Sequence, residues 1–159
     1  MQDQLNICQN QYRLVMGSRA ALFGYCTTIA PEDFLRERSP FGRGGSIRNL
    51  LVHNANTYQY WVLNVGLHRK VPYTEYGAVK TIAEVAGLFE PIDAGIFTLI
   101  DSPAQLAEEI QYDRNGHPAT VSRLEIFTHV ITHEFHHKGQ ILSLSRALGY
   151  TPIDTDVIR

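Results

Sequence analysis

With 159 residues, 44% of them hydrophobic, the chain is long enough to bury a sizeable core and is expected to form one domain over residues 1–159. Its formal net charge of −2, from 14 Lys and Arg and 16 Asp and Glu without a long run of either sign, excludes the basic stripe typical of nucleic-acid-binding proteins. Because no apolar run approaches the ~20 residues of a membrane span and the opening residues lack the order of a signal peptide, we expect a cytoplasmic protein that does not enter membranes.

The first predicted helix covers residues 4–29, where apolar side chains recur at steps of three and four. Pro31 is expected to stop this helix, because the residue before a proline avoids the helical region. Cys8 and Cys26 would then lie roughly 27 Å apart along one helix axis, too far for a disulfide bond, as expected in a reducing compartment. The stretch from Pro31 to Gly45 holds two prolines and three glycines and is predicted to be a loop.

The middle of the chain predicts two further helices. Ser46 is a good N-cap for a helix of about six turns over residues 47–67, because its hydroxyl can accept a bond from a free backbone N–H. Residues 68–77 are predicted to be a connection, and residues 80–100 again show helical periodicity. Pro91 falls within this third helix, and we expect a kink or a break there because proline cannot donate the usual helical hydrogen bond.

Residues 102–121 contain a turn signal between two short segments. Asn115-Gly116 predicts a tight turn, since both residues tolerate the positive φ that a two-residue hairpin loop requires. We therefore expect a small hairpin before the last helix.

The last helix has clear signals at both ends. Ser122 and Glu125 form a capping box at its start. The helix is expected to run to Leu148, because Gly149 suits the left-handed position that follows a helix end. Four long helices with little strand predict an all-α protein, a four-helix bundle with the small hairpin as its one addition.

Four of the seven histidines lie between residues 129 and 137, on this last helix. His133 and His137 stand one turn apart, and with Glu134 they fit the metalloprotease pattern H-E-x-x-H. At ~100° per residue the two histidines share the apolar stripe that the helix is expected to bury, whereas Glu134 lies at one edge of it. The other flank of the stripe carries His129, His136 and Gln140.

Two imidazoles one turn apart could reach one metal ion at N–metal distances of ~2.0–2.1 Å, or could be hydrogen-bonded core histidines. A metalloprotease would take its third ligand downstream, but the chain after His137 contains no His and no Glu. Upstream, His53 lies at the edge of the apolar face of the second helix. Because bundle helices pack 8–10 Å apart, His53 could complete a three-histidine site that leaves one coordination position open.

Two segments resemble a known family. "SIRNLLVHNANTYQYW" and "IFTHVITHEFHHKGQILSLSRALGYTP" are similar to the DinB/YfiT-like family of metal-dependent enzymes. The resemblance implies an up-down-down-up four-helix bundle, often a homodimer, with zinc or nickel held by His53, His133 and His137. Relatives in this family include thiol-dependent S-transferases and isomerases. The family name reflects induction by DNA damage, so the resemblance does not imply DNA binding.

Two functions remain open from the sequence. In the first, the protein is a metal-dependent enzyme, a transferase or hydrolase; as a transferase it would join a low-molecular-weight thiol to a small electrophile. The side chains around the metal or the substrate would then be His129, Glu134, His136 and Gln140. In the second, it is a non-catalytic metal-binding stress-response protein.

The second helix is crowded with aromatic residues, Tyr58, Tyr60 and Trp61. Together with the resemblance, this crowding predicts a homodimer.

Overall fold

The computed structural model describes residues 2–38 and 45–159, and these residues are mostly helical. The helices in chain order are α1 (Gln2–Cys26), α2 (Pro31–Leu35), α3 (Ile47–Tyr58), a π-helical segment (Gln59–Gly66), α4 (Ile82–Leu99) and α5 (Arg123–Ala147). Between α4 and α5, β1 (Glu109–Arg114) and β2 (His117–Ser122) form an antiparallel two-stranded sheet. The expectation of a mainly helical chain is confirmed, but the chain is not all-α because of this sheet.

The predicted hairpin is therefore present. Glu109 pairs with Ser122 at its open end and Arg114 pairs with His117 beside the turn. Asn115 and Gly116 have φ of 56° and 85°, the left-handed backbone that a two-residue hairpin turn requires. The hairpin leads directly into α5.

The first helix ends earlier than predicted, at Cys26 and not at residue 29. Pro31 begins α2, where its missing N–H costs nothing because the first helical N–H groups have no partner within a helix. The loop predicted from Pro31 to Gly45 is thus wrong over Pro31–Leu35, and its residues 39–44 lie outside the described part of the chain.

The second predicted helix begins as expected, with the Ser46 hydroxyl accepting a bond of 3.0 Å from the N–H of Asn49. It does not continue as one α-helix. The α-helix ends at Tyr58, and the eight residues that follow, Gln59–Gly66, form the π-helical segment. Such segments are rare and are often found at functional sites.

Two glycines let the π-helical segment approach α4 closely. A Cβ at Gly66 would lie 2.7 Å from Cδ1 of Leu99, and a Cβ at Gly95 would lie 2.4 Å from Cδ2 of Leu63. Real Cβ atoms do not come this close to a neighbour, so a side chain at either glycine would force the facing leucine to shift.

Pro91 does not break α4, which is continuous from Ile82 to Leu99. Pro91 has no N–H to donate to the carbonyl of Gly87, one turn earlier. Both residues lie on the exposed face of the helix. Water can therefore satisfy that carbonyl, and the predicted break does not occur.

The core is formed around α3, which packs against α4, α5 and α2. Its fully buried side chains include Tyr12, Leu22, Ile47, Leu50, Leu51, Tyr58, Ile92, Ile96, Leu99 and Phe127. α5 is capped as predicted at both ends. The Ser122 hydroxyl accepts from the N–H of Glu125, the Glu125 carboxylate accepts from the N–H of Ser122, and Gly149 has φ of 98°. α3 and α5 thus lie side by side, and they carry the histidines of interest.

Candidate metal centre

Three imidazoles from α3 and α5 converge. The ring centroid of His53 lies 5.1 Å from that of His133 and 4.8 Å from that of His137, and the latter two are 4.4 Å apart. Their candidate ligand atoms all lie within 4.8 Å of one another. The Nε2 atoms of His133 and His137 are 3.2 Å apart, close to the ~3.3 Å that a tetrahedral ion with ~2.0–2.1 Å bonds would require. This geometry could hold one metal ion.

Hydrogen bonds orient two of the three rings. Nδ1 of His133 lies 3.1 Å from Oδ1 of Asn54, and Nδ1 of His137 lies 2.7 Å from Oε1 of Gln140. An amide oxygen only accepts, so each Nδ1 carries the proton and each Nε2 keeps its lone pair. Metal-ligating histidines typically show this arrangement.

The surroundings keep the ring of His133 neutral. Burial lowers the pKa of His133 to about 3, and the nearby imidazoles of His137 and His53 lower it in the same direction. A neutral imidazole is the form that binds a metal ion. Three imidazole nitrogen donors suit zinc, nickel and other first-row divalent ions, so the residues fit the metal that the resemblance implies.

A cleft opens beside His53. It has a volume of about 280 Å³ and is lined by His53, Asn56, Thr57, Tyr60, Trp61, Tyr73 and Tyr76. The three imidazoles are therefore not sealed inside the core, and a small molecule could approach them from this side.

The comparison with protein families agrees with this geometry. The sequence profile of the DinB family matches residues 1–159, the whole chain. The chain belongs to the DinB family. No curated protein is significantly similar to it. Within the described part of this DinB-family protein, no helix combines the length and the apolar character that crossing a membrane would require.

In this DinB-family chain, His53, His133 and His137 form a histidine triad. The polar residues of α5 that flank the apolar stripe lie at the rim of this triad. Gln140 connects two rings, because its Nε2 lies 3.2 Å from Nε2 of the exposed His136 while its Oε1 contacts His137. The exposed His129 ring lies 5.7 Å from that of His133 and 5.3 Å from that of Trp61. Of the four side chains predicted to surround the metal or the substrate, His129, His136 and Gln140 lie next to the metal candidates. The carboxylate of the fourth, Glu134, is bonded to Arg19 and Tyr58.

The structure corrects the prediction for Glu134, which was expected at the edge of the buried stripe. It is 2% exposed and is part of the centre of that face. Arg19 donates to both of its oxygens, at 3.1 and 3.2 Å, and the Tyr58 hydroxyl donates to one of them at 2.6 Å. A carboxylate can be buried when its charge is paired in this way. Its oxygens are thus already engaged, unlike those of a protease general base.

The rotation of α5 accounts for this correction. The centre of the buried face of α5 runs through Ile126, Val130, Glu134 and Ile141. His137 lies beside this line and is 7% exposed, whereas His133 lies at its margin and is half-buried. The assignment from apolar periodicity placed the histidines at the centre, because a lone glutamate gave no sign of its distant partner Arg19.

Asn54 is a site residue that the sequence reasoning missed. It follows His53 in α3 and is 2% exposed, so its side chain is buried against α5. An asparagine on the packed side of a helix requires a polar partner, and this was the available signal.

Proposed function

We propose that this DinB-family protein is a divalent-metal-dependent enzyme that transfers a low-molecular-weight thiol to a small electrophile. The observation that carries the proposal is the convergence of His53, His133 and His137 beside an open cleft. A sealed site would suit a structural ion, whereas three protein ligands with an accessible fourth position are typical of catalytic centres.

The residues of the chain have distinct roles in this proposal. His53, His133 and His137 hold zinc or nickel, and Asn54 and Gln140 fix the orientation of two of the rings. A divalent ion bound there would favour the thiolate form of the cosubstrate at neutral pH. The exposed imidazoles of His129 and His136 lie at the rim, where they can contact the substrate.

The protein's own thiols are poorly suited to act as the nucleophile. Cys8 and Cys26 both lie in α1 and are buried. Burial raises the pKa of Cys8, and it raises the pKa of Cys26 to about 12. Since the thiolate is the reactive form, the nucleophile is expected to be an added thiol or water.

The proposal includes the architecture and assembly that the family resemblance implies. The long helices form a bundle of up-down-down-up order, which is supported by the packing of α3 against α4 and α5 and of α1 against the same two helices. Two such chains form a homodimer in the cytoplasm.

The test combines metal analysis with an activity assay. Protein purified without added metal is analysed for bound ions, and then incubated with bacillithiol, mycothiol or glutathione and a panel of aliphatic and aromatic electrophiles. We expect about one ion per chain and thiol consumption that stops after chelation. The His53→Ala, His133→Ala and His137→Ala variants should each lose the ion, whereas His68→Ala and His117→Ala, which change exposed histidines, should retain it.

Two results would contradict the proposal in different ways. Full metal occupancy in all three triad variants would overturn the site. Stoichiometric metal with no rate above that of the chelated protein, for any thiol and electrophile, would overturn the enzyme and favour the metal-binding stress-response protein.

A further inference from the structure

Four aromatic side chains form a wall beside the histidine triad. Tyr60 and Trp61 come from the π-helical segment, Tyr73 from the connection after it, and Tyr112 from β1. The Trp61 ring meets Tyr60 at 5.1 Å and Tyr112 at 5.3 Å, both edge to face, and Tyr60 stacks on Tyr73 at 6.4 Å. Three separate parts of the chain thus contribute to one continuous aromatic surface.

This aromatic wall joins two clefts. The cleft that reaches His53 and a second cleft of about 700 Å³ that reaches His129 share Tyr60, Trp61 and Tyr73. The combined surface runs from the hairpin to the imidazoles, and its size is that of a site for a small organic molecule.

The fold does not bury these aromatic rings. Tyr73 is 59% exposed, and Tyr60, Trp61 and Tyr112 are half-buried. Tyr60, Trp61 and Tyr112 pack against the core on one side and leave part of each ring accessible, whereas Tyr73 does not pack against the core. The entrance to the triad is therefore lined by aromatic surface that a ligand can reach.

We propose that this aromatic wall is the binding site of the electrophile, and that it selects a planar aromatic compound with hydrogen-bond-accepting substituents such as nitro or carbonyl groups. The proposal rests on the proposed function and names its substrate class. A flat ring can stack on Trp61 or meet the tyrosines edge to face. The phenol groups of Tyr60, Tyr73 and Tyr112 can donate hydrogen bonds to the substituents.

The charges at the wall disfavour the other ligand that aromatic cages bind, a quaternary ammonium ion. The second cleft contains one acid, Asp113, and one base, Arg114. The Asp113 carboxylate already accepts a bond of 2.8 Å from the N–H of Gly116. With one acid and one base, the lining of this cleft carries no net formal charge that would attract a cation, and its neutral phenols match an uncharged aromatic acceptor.

The test uses the single tryptophan of the chain, Trp61, as a reporter. Nitrobenzene, which has no leaving group, is titrated into the metal-free and the metal-loaded protein, and binding is followed by tryptophan emission and by equilibrium dialysis. The matched control ligand is nitrocyclohexane, which has the same nitro group on a saturated, non-planar ring. Tetramethylammonium tests the cationic alternative.

We expect saturable nitrobenzene binding at least tenfold tighter than that of nitrocyclohexane. Tyr73→Ala and Tyr112→Ala should weaken it at least fivefold, whereas Tyr73→Phe and Tyr112→Phe should weaken it less because they keep the ring. Ile153→Ala, at an exposed apolar position of the C-terminal tail, should leave it unchanged.

Three outcomes would overturn the inference: equal dialysis binding of the two nitro compounds, binding unaffected by both alanine variants, or tighter binding of tetramethylammonium. Metal content is measured on the same preparations. A chain that binds nitrobenzene but no metal contradicts the proposed function alone, and one that binds metal but not nitrobenzene contradicts this inference alone.

Discussion

Oδ1 of Asn54 lies 3.1 Å from Nδ1 of His133, so the residue that follows one candidate ligand orients another. α3 thereby contributes twice to the site, once through His53 and once through the amide that fixes a ring of α5. The same contact links the two helices and orients the imidazole of His133.

The first prediction follows from this contact. Asn54→Ala should lower metal affinity by about 10- to 100-fold without removing a ligand, as is typical when a partner of a metal-bound histidine is lost. Gln140→Ala should act similarly through His137. Affinity is measured by competition with a chromogenic chelator, and circular dichroism checks that the helices remain. Unchanged affinity in both well-folded variants would show that these amides do not support the site.

The second prediction concerns the buried pairing of Arg19 with Glu134. Glu134→Gln should lower the free energy of unfolding by about 3 kcal/mol, because removing one charge of a buried pair leaves the other poorly compensated. Arg19 keeps its 2.7 Å contact with Asp93, which limits the loss. Tyr58→Phe, which removes one hydrogen bond to the same carboxylate, should cost about 1–2 kcal/mol.

Urea denaturation of the metal-free proteins measures these losses. Glu125→Gln is the comparison variant, because Glu125 is exposed at the start of α5. A Glu134→Gln protein as stable as the wild type would mean that the buried pair does not contribute to stability.

The third prediction concerns the cysteines. The pKa of Cys26 is raised to about 12, so below that pH its thiol stays protonated and reacts slowly. Iodoacetamide should therefore modify Cys26 in the native protein far more slowly than in urea at any pH from 7 to 9. The Cys8→Ser/Cys26→Ser variant should keep its metal and any thiol-transfer activity. An inactive variant that still holds metal would assign the reaction to a protein cysteine.

The fourth prediction concerns assembly. We expect a homodimer. The crowding of aromatic residues on the second helix does not support it, because Tyr58 is fully buried and Tyr60 and Trp61 line the cleft. The surface of α1 gives a better reason. Ile7 and Leu14 lie two turns apart on one face and are 65% and 53% exposed.

Light scattering over a wide concentration range measures the mass. The dimer should weigh about twice the 18.0 kDa of the chain. Leu14→Glu should shift it to the monomer, whereas Ile153→Glu, at an exposed apolar residue of the C-terminal tail, should not. A wild-type monomer at all concentrations would contradict the prediction.

Local signals in the sequence predicted the start of the second helix, both ends of the last helix and the hairpin turn, but not the end of the first helix or the short helix that begins at Pro31. Ser46, the Ser122–Glu125 capping box and the Asn115-Gly116 turn act through neighbouring backbone atoms, so their effect can be inferred from a few residues. The grouping of the three histidines could also be inferred, because a pair one turn apart restricts where a third ligand can be.

The remaining features depend on contacts between distant parts of the chain. Arg19 is 115 positions from Glu134, and without that partner a glutamate is assigned to the surface. The π-helical conformation of Gln59–Gly66 depends on close packing against α4, and the helical periodicity of the sequence does not predict that packing. The continuity of α4 across Pro91 depends on which face meets the solvent.

The close approach of Gly66 and Gly95 to their neighbours also bears on how binding preference can change in such a protein. These glycines let the segment that carries Tyr60 and Trp61 pack against α4. A larger residue at either position would meet the side chain of Leu99 or Leu63, and where that leucine cannot move the segment and its aromatic rings would shift. The shape of the proposed binding site can therefore be altered through two positions that carry no side chain and are not part of its lining.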